Sequence, residues 1–192
     1  MILKKASAKA VEYSCKNFHY AKTRPIVQIA YSVFNDNLEW CGCITFGGGA
    51  SSFFGVKYNL KQGEYLELSR MALNGKQEST SKAMSIAIKL LKKHKPLVKL
   101  LISYADKAQN HYGIIYQACN WYFVDESESS GIEVFWKNKW RHSRISSKIS
   151  KKEWAEIPKR KKKGKRKYLY PLTKNFRKYC ELNKKEYPKK MR

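Results

Sequence analysis

The run LVKLLISYA at 97–105 is apolar until it ends in Ser103 and Tyr104, with Asp106 just beyond and His111, Tyr116 and Gln117 close behind. An apolar run of this length reads as a central buried strand. In open α/β sheets ligands bind beyond the carboxyl ends of such strands, where neighbouring strands separate. A hydroxyl, a phenol, a carboxylate and an imidazole gathered there are groups that move protons. Singly, each has a plainer reading: Ser103 satisfies backbone groups, Tyr104 is half core, and Asp106 caps the following turn. Together with Arg70 from the preceding strand, they predict one polar cleft.

The elements that would position these groups alternate between α and β. Residues 7–17 have a weak helical spacing after Ser7, a residue type that caps helices. PIVQIAYSVF (25–34) and LEWCGCITF (38–46) read as a hairpin around the turn residues NDN. YLELSRMAL (65–73) is a further strand, in which alternation sends Arg70 to the face of Leu66 and Leu68. Ser79 or Thr80 then caps a helix with Ala83, Met84, Ile86, Ala87, Leu90 and Leu91 at the helical period, which Pro96 stops. After the central strand, NHYGIIYQACNW (110–121) is read as a helix with 113, 116, 117 and 120 on one face. YFV (122–124) and IEVFW (132–136) are read as strands around the acidic turn DESESSG.

Composition sets the partner. Forty Lys and Arg stand against fifteen Asp and Glu, a formal net charge of +25 over 192 residues, which calls for a polyanion. The charge is densest after Lys137, peaking at KRKKKGKRKYLY (159–170) with aromatic residues interleaved, and lysines on phosphate beside rings on bases make a nucleic-acid surface. The expected organisation is a catalytic domain over 1–140 and a basic, aromatic-rich extension over 141–192 that packs on or beside it. The five cysteines are odd in number and scattered, so a reducing compartment is expected rather than a disulfide framework. Cys41 and Cys43 are read as facing opposite sides of the sheet and holding no metal as a pair. MILKKASAKAVEY lacks the apolar centre of a signal peptide, and no stretch is long enough to span a membrane, so a soluble intracellular protein is expected.

ELSRMAL, the capped helix with Ser81, and SYADKAQNHYGIIYQACNW together resemble the bacteriophage Mom DNA-modification proteins, whose pattern is an ELxRL strand and an SYADxxxxHxGxIYQAxNW segment. His19-Tyr20 before Arg24-Pro25, His142-Ser143-Arg144 and KRKYLYPL resemble further pieces, in the same order from about residue 17 to about 172. The resemblance implies a GNAT-like fold: a mixed sheet flanked by helices, here with a basic C-terminal extension. It implies transfer of a carbamoylmethyl-type group to the exocyclic amine of adenine, protecting phage DNA from restriction in the cytoplasm of a bacterial host. It places Asp106 and Tyr104 at the catalytic centre, with His19, Arg70, Ser81 and His111 around it. Asp106 would take the amine proton, and Tyr104, Tyr116 or Trp121 would stack on the displaced base. Donor contacts are expected from Ser79, Thr80, Ser81, Ser103, Gln117 and Asn120. DNA contacts are expected from His142, Arg144, Lys161, Lys162, Lys163, Lys165, Arg166, Lys167, Tyr168 and Tyr170.

One departure bears on the donor. Acetyltransferases of this superfamily cradle the coenzyme A pyrophosphate in a glycine-rich turn, and NGKQESTSK (74–82) lacks that pattern; acetyl-CoA is open by fold but unsupported by motif. His19, His111 and Asp106 would form a two-histidine, one-carboxylate iron set, yet their spacing matches no local metal motif, and catalytic or hydrogen-bonded histidines are preferred. The alternatives are an acyltransferase acting on RNA or protein amines, and a non-enzymatic nucleic-acid binding protein.

Overall fold

The computed structural model describes residues 1–49 and 52–189. Strand β1 (Ile2–Lys5) leads into helix α1 (Ala8–Phe18), started by Ser7, whose hydroxyl accepts from the Ala10 amide at 3.2 Å. The expected hairpin forms as β2 (Ile29–Phe34) and β3 (Trp40–Gly47), followed by β4 (Tyr65–Leu73). Helix α2 (Thr80–His94) is capped by Ser79, which accepts from the Lys82 amide at 3.2 Å, and buries Ala83, Met84, Ala87, Ile88 and Leu91. Then come β5 (Leu100–Asp106), α3 (Ile114–Ala118), β6 (Tyr122–Glu126), β7 (Ser129–Trp136), β8 (Lys139–His142), α4 (Lys151–Glu156), β9 (Lys159–Lys163), β10 (Lys165–Pro171) and α5 (Lys174–Asn183).

Seven strands make one sheet in the order β1-β2-β3-β4-β5-β10-β6, antiparallel except between β4 and β5. Helices α2 and α3 cover one face over Leu66, Leu68, Leu101 and Trp121. On the other face α1 packs over Ala30, Cys43 and Ala72, and Cys180 of α5 packs with Leu100, Ile102 and Leu169. Among the described residues no helix is long and apolar enough to cross a membrane.

The parallel pair is short. Tyr65, Leu66 and Glu67 pair with Leu100, Leu101 and Ile102, and there the ladder stops although both strands continue. A bulge coincides with the split: Phe46 pairs with Leu68 but Thr45 with Arg70, leaving Ser69 as the extra residue. An extra residue bends its strand and reverses the facing of the residues beyond it. Arg70 therefore does not share the face of Leu66 and Leu68, as alternation predicts, but turns toward the α1 side. A similar shift near Gly42 (φ +120°) separates Cys41 from Cys43, which lie in different clusters because of the irregularity rather than by alternation. All five cysteines are buried and free.

Three further expectations are corrected. The helix read over 110–121 is only Ile114–Ala118, because Asn110 and Gly113 before it and Asn120 after it have positive φ, which a helix cannot accommodate. A Cβ on Gly113 would come within 2.4 Å of the Tyr168 ring, so glycine is required there twice over. Second, β6 and β7 do not pair with each other; β6 pairs with β10, and β7 belongs to a separate sheet of order β8-β7-β9. Third, the main sheet continues past residue 140. Strand β10 lies between β5 and β6, with Tyr168 and Leu169 fully buried on opposite faces, so those apolar residues hold an otherwise basic segment in the core.

Candidate active site

Where β4 and β5 part, the sheet opens into a cleft of about 560 Å³, lined by His19, Tyr20, Arg70, Thr80, Tyr104, His111 and Lys165 among others. Ser103 marks the branch point. Its buried hydroxyl donates to the Leu68 carbonyl at 2.9 Å, tying the strands together by a side chain where the ladder ends, and lies 2.8 Å from the Tyr116 hydroxyl.

His19 follows the last residue of α1, and its Nδ1 accepts from the Ala21 amide at 3.1 Å. Burial, then the charge of Arg70, hold its pKa down at about 4, so the ring is neutral. With Nδ1 accepting, the proton sits on Nε2, making that nitrogen a donor. The Tyr20 ring lies 4.3 Å from that of His19, and His111 meets it edge-on at 5.6 Å. Burial and the neighbouring Asp106 push the Tyr20 hydroxyl up to about 12, so it is a neutral phenol. Burial likewise raises the Tyr104 hydroxyl above the ordinary phenol range, while Lys165 Nζ lies 5.7 Å from the Tyr104 ring centre.

Arg70 has the most telling environment. Its Nη1 donates to the Ser69 carbonyl at 2.7 Å, but its Nε is buried with no partner among the described residues. A guanidinium left so is costly unless an anion or carbonyl oxygen arrives.

Asp106 is nearly buried and is not among the cleft-lining residues. Its Oδ1 accepts from the Ala108 amide at 2.9 Å, the capping role its sequence position suggests, and Oδ2 accepts from the Tyr20 hydroxyl at 3.4 Å. Tyr20, which the sequence reading named only as part of the His19-Tyr20 motif and gave no role, stands between Asp106 and the cleft.

Of the six expected donor contacts, Thr80 alone lines the cleft. Ser79 caps α2, with the Ser81 hydroxyl 3.1 Å away. Gln117 Nε2 donates to the Tyr112 carbonyl at 3.0 Å and lies 3.3 Å from the Tyr168 hydroxyl, so it braces the loop rather than facing the cleft. Asn120 ends α3 in a left-handed conformation. Among the described residues no group of three His, Cys, Asp or Glu is placed to hold a metal, so the His19, His111 and Asp106 set does not close around an ion.

The expected nucleic-acid residues divide. Tyr168 is fully buried, its hydroxyl donating to the Tyr112 carbonyl at 2.6 Å, so it offers no contact surface, and the half-buried Tyr170 packs beside Trp121. Arg166 is paired with Glu126 at 3.0 Å, donates to the His111 carbonyl at 2.9 Å and lies over Tyr112, so it fixes the loop that carries His111. Burial lowers the pKa of Lys167, which lies over Tyr58. Lys165 reaches the cleft, Arg144, Lys161 and Lys163 are exposed, and Lys162 is half-buried near Glu133. The exposed His142 accepts at Nδ1 from the Arg144 amide at 3.1 Å.

The model of the Mom protein family matches residues 1–189. Against the methylcarbamoylase Mom of Escherichia phage Mu the chain is 35% identical over 80 residues, 41% of this chain, and the match spans 32% of the relative's length. The fold is that of GNAT acetyltransferases. A probable GNAT-family acetyltransferase from Chromobacterium violaceum superposes with a TM-score of 0.52 at 9% identity, covering 88% of this chain and 81% of that one. An aminoglycoside 6'-acetyltransferase type Ii gives 0.51 at 10% identity, covering 90% and 98%.

Proposed function

The chain belongs to the Mom protein family, and from that membership we propose that it transfers a small carbamoylmethyl-type group to the exocyclic amine of adenine in DNA, protecting phage DNA from restriction. The name of the Mu relative, a methylcarbamoylase, supports a small amide-bearing group of this composition and favours the methylcarbamoyl isomer, joined through its carbonyl carbon, over the carbamoylmethyl one. The observation that carries the reading is the Arg70 Nε in the wall of the cleft between β4 and β5, buried and without a partner among the described residues.

An anionic or carbonyl oxygen of the donor satisfies Arg70, and His19 Nε2–H supplies a second donor to charge that develops there. The start of α2, with Thr80 at the cleft, favours a further negative group. Residues 74–82 lack the glycine turn that usually holds a coenzyme A pyrophosphate.

The amine of adenine is a weak nucleophile because its lone pair is delocalised into the ring, so a proton must leave as the new C–N bond forms, while the bond from the transferred carbon to the rest of the donor breaks and its electron pair departs with that leaving group. Tyr20 accepts that proton at its oxygen while passing its own to Asp106 Oδ2, which leaves the phenol neutral and the carboxylate protonated. The base must leave the duplex stack to enter the cleft, and the net charge of +25 holds the surrounding phosphates.

Challenge of plasmid DNA from cells making the protein tests this reading. Restriction endonucleases with adenine in their sites are expected to cut it poorly, and to cut DNA from cells making Arg70→Gln normally. Complete cutting of DNA from cells making folded wild-type protein contradicts the proposal.

A further inference from the structure

We propose that the open face of the β8-β7-β9 sheet is a platform for an unpaired nucleic-acid strand leading to the cleft. The proposal rests on the DNA reading above and adds the form of DNA that is held and where.

The two faces of this sheet differ. On one, Val134 is fully buried and Trp136 Nε1 donates to Glu153 of α4 at 2.9 Å, so that face is covered at its centre, with Ile132 exposed toward one end. On the other, the register sets Glu133 opposite His142 and Arg160, and Phe135 opposite Trp140. There Phe135 and Trp140 remain 39% and 38% exposed, with ring centres 5.4 Å apart, and the Arg160 guanidinium lies 4.1 Å from the Trp140 ring. Glu133 is held by Arg160 at 2.9 Å and approached by Lys162 at 3.8 Å, so the two cations outnumber the carboxylate they surround.

Exposed rings beside cations fit an unpaired strand better than a duplex, because unpaired bases offer π-faces to stack on whereas a duplex offers its phosphates. An acidic protein partner would use the cations and leave the two rings in water. Position supports the same occupant. Strand β9 passes through Gly164 directly into Lys165, which lines the cleft. Gly164 packs so closely that a Cβ would come within 1.7 Å of the Ser127 carbonyl oxygen, which fixes that junction. At about 3.3 Å per strand residue, Arg160 lies roughly 17 Å along the chain from Lys165, a span of a few nucleotides. Nucleotides flanking the target adenine would rest on this face while the adenine occupies the cleft.

The test is titration of the full chain, without any donor, into labelled single-stranded and duplex oligonucleotides of one sequence at fixed salt, read by fluorescence anisotropy. Trp140→Ala is expected to weaken single-strand binding roughly 5- to 100-fold, the range of base–aromatic stacking, with duplex affinity within about twofold of wild type. Trp140→Phe, which keeps a ring, is expected to retain most of the affinity and so guards against misfolding as the cause. An equal loss for both forms, or no loss for either, overturns the platform, as does binding of an acidic peptide in preference to either oligonucleotide. No modification is measured, so the two proposals fail separately: intact platform binding with unmodified cellular DNA sinks the transferase reading alone.

Discussion

The Tyr20 hydroxyl donates to Asp106 Oδ2 at 3.4 Å, so the phenol, not the carboxylate, faces the cleft. Tyr20→Phe is therefore expected to lower adenine transfer about 100-fold or more, the usual worth of a positioned proton acceptor, with little change in unfolding temperature. Asp106→Asn should lose a similar factor and still fold, because the asparagine oxygen can keep the Ala108 cap. A Tyr20→Phe enzyme with the wild-type single-turnover rate would put the proton acceptor elsewhere.

Arg70 separates function from stability. Its Nε is buried without a partner among the described residues, so removing the charge takes away a desolvation cost that offsets the loss of the one hydrogen bond from Nη1 to the Ser69 carbonyl. Arg70→Gln should unfold at the wild-type temperature or higher while losing transfer by about 100-fold, as for other oxyanion-binding donors. A large fall in unfolding temperature would mean that the guanidinium serves the fold.

His19 links stability to pH. Its folded pKa is about 4, below the ordinary 6.5, because burial and Arg70 disfavour the cation. The unfolded chain takes up this proton below pH 6.5 and the folded one does not. The contribution is thus complete above 6.5 and is lost as pH falls from 6.5 toward 4. His19→Asn, whose oxygen can replace Nδ1 as acceptor for the Ala21 amide, should lose less stability than wild type over that window, as measured by thermal unfolding at stepped pH. Parallel curves would contradict the assignment.

Gly113 holds the loop between His111 and α3 against the core. Alanine there meets the Tyr168 ring at 2.4 Å in a backbone conformation with φ +75°, and Tyr168 cannot yield because it is fully buried. Gly113→Ala should destabilise the fold by about 2 kcal/mol or more in denaturant unfolding. An unchanged midpoint would mean that the loop relaxes freely.

What was legible in the sequence was local. Helix α2 could be read from its 3.6-residue spacing and Ser79 cap, and the polar end of β5 from the break in its apolar run, because both depend on near neighbours. The facing of Arg70 was not legible, since it depends on one extra residue, Ser69, set against β3. Strand β10 was hidden because Lys165, Arg166 and Lys167 resemble a solvated tail, while its partners β5 and β6 lie about 40 to 70 residues earlier. Within the cleft, Arg70, Tyr104, His19 and His111 could be gathered from motif and order. Tyr20 emerged only once Asp106 was seen to use one oxygen as a cap and to lie behind the phenol.

The most direct measurement is nucleoside mass spectrometry of DNA from cells making the wild-type protein, beside cells making Arg70→Gln at equal soluble yield. The account predicts a new adenine-derived nucleoside in the first sample only, with a mass increment that gives the composition of the transferred group and a fragmentation pattern that separates its isomers. Unmodified adenine in both, with the wild-type protein folded and bound to DNA, would contradict it.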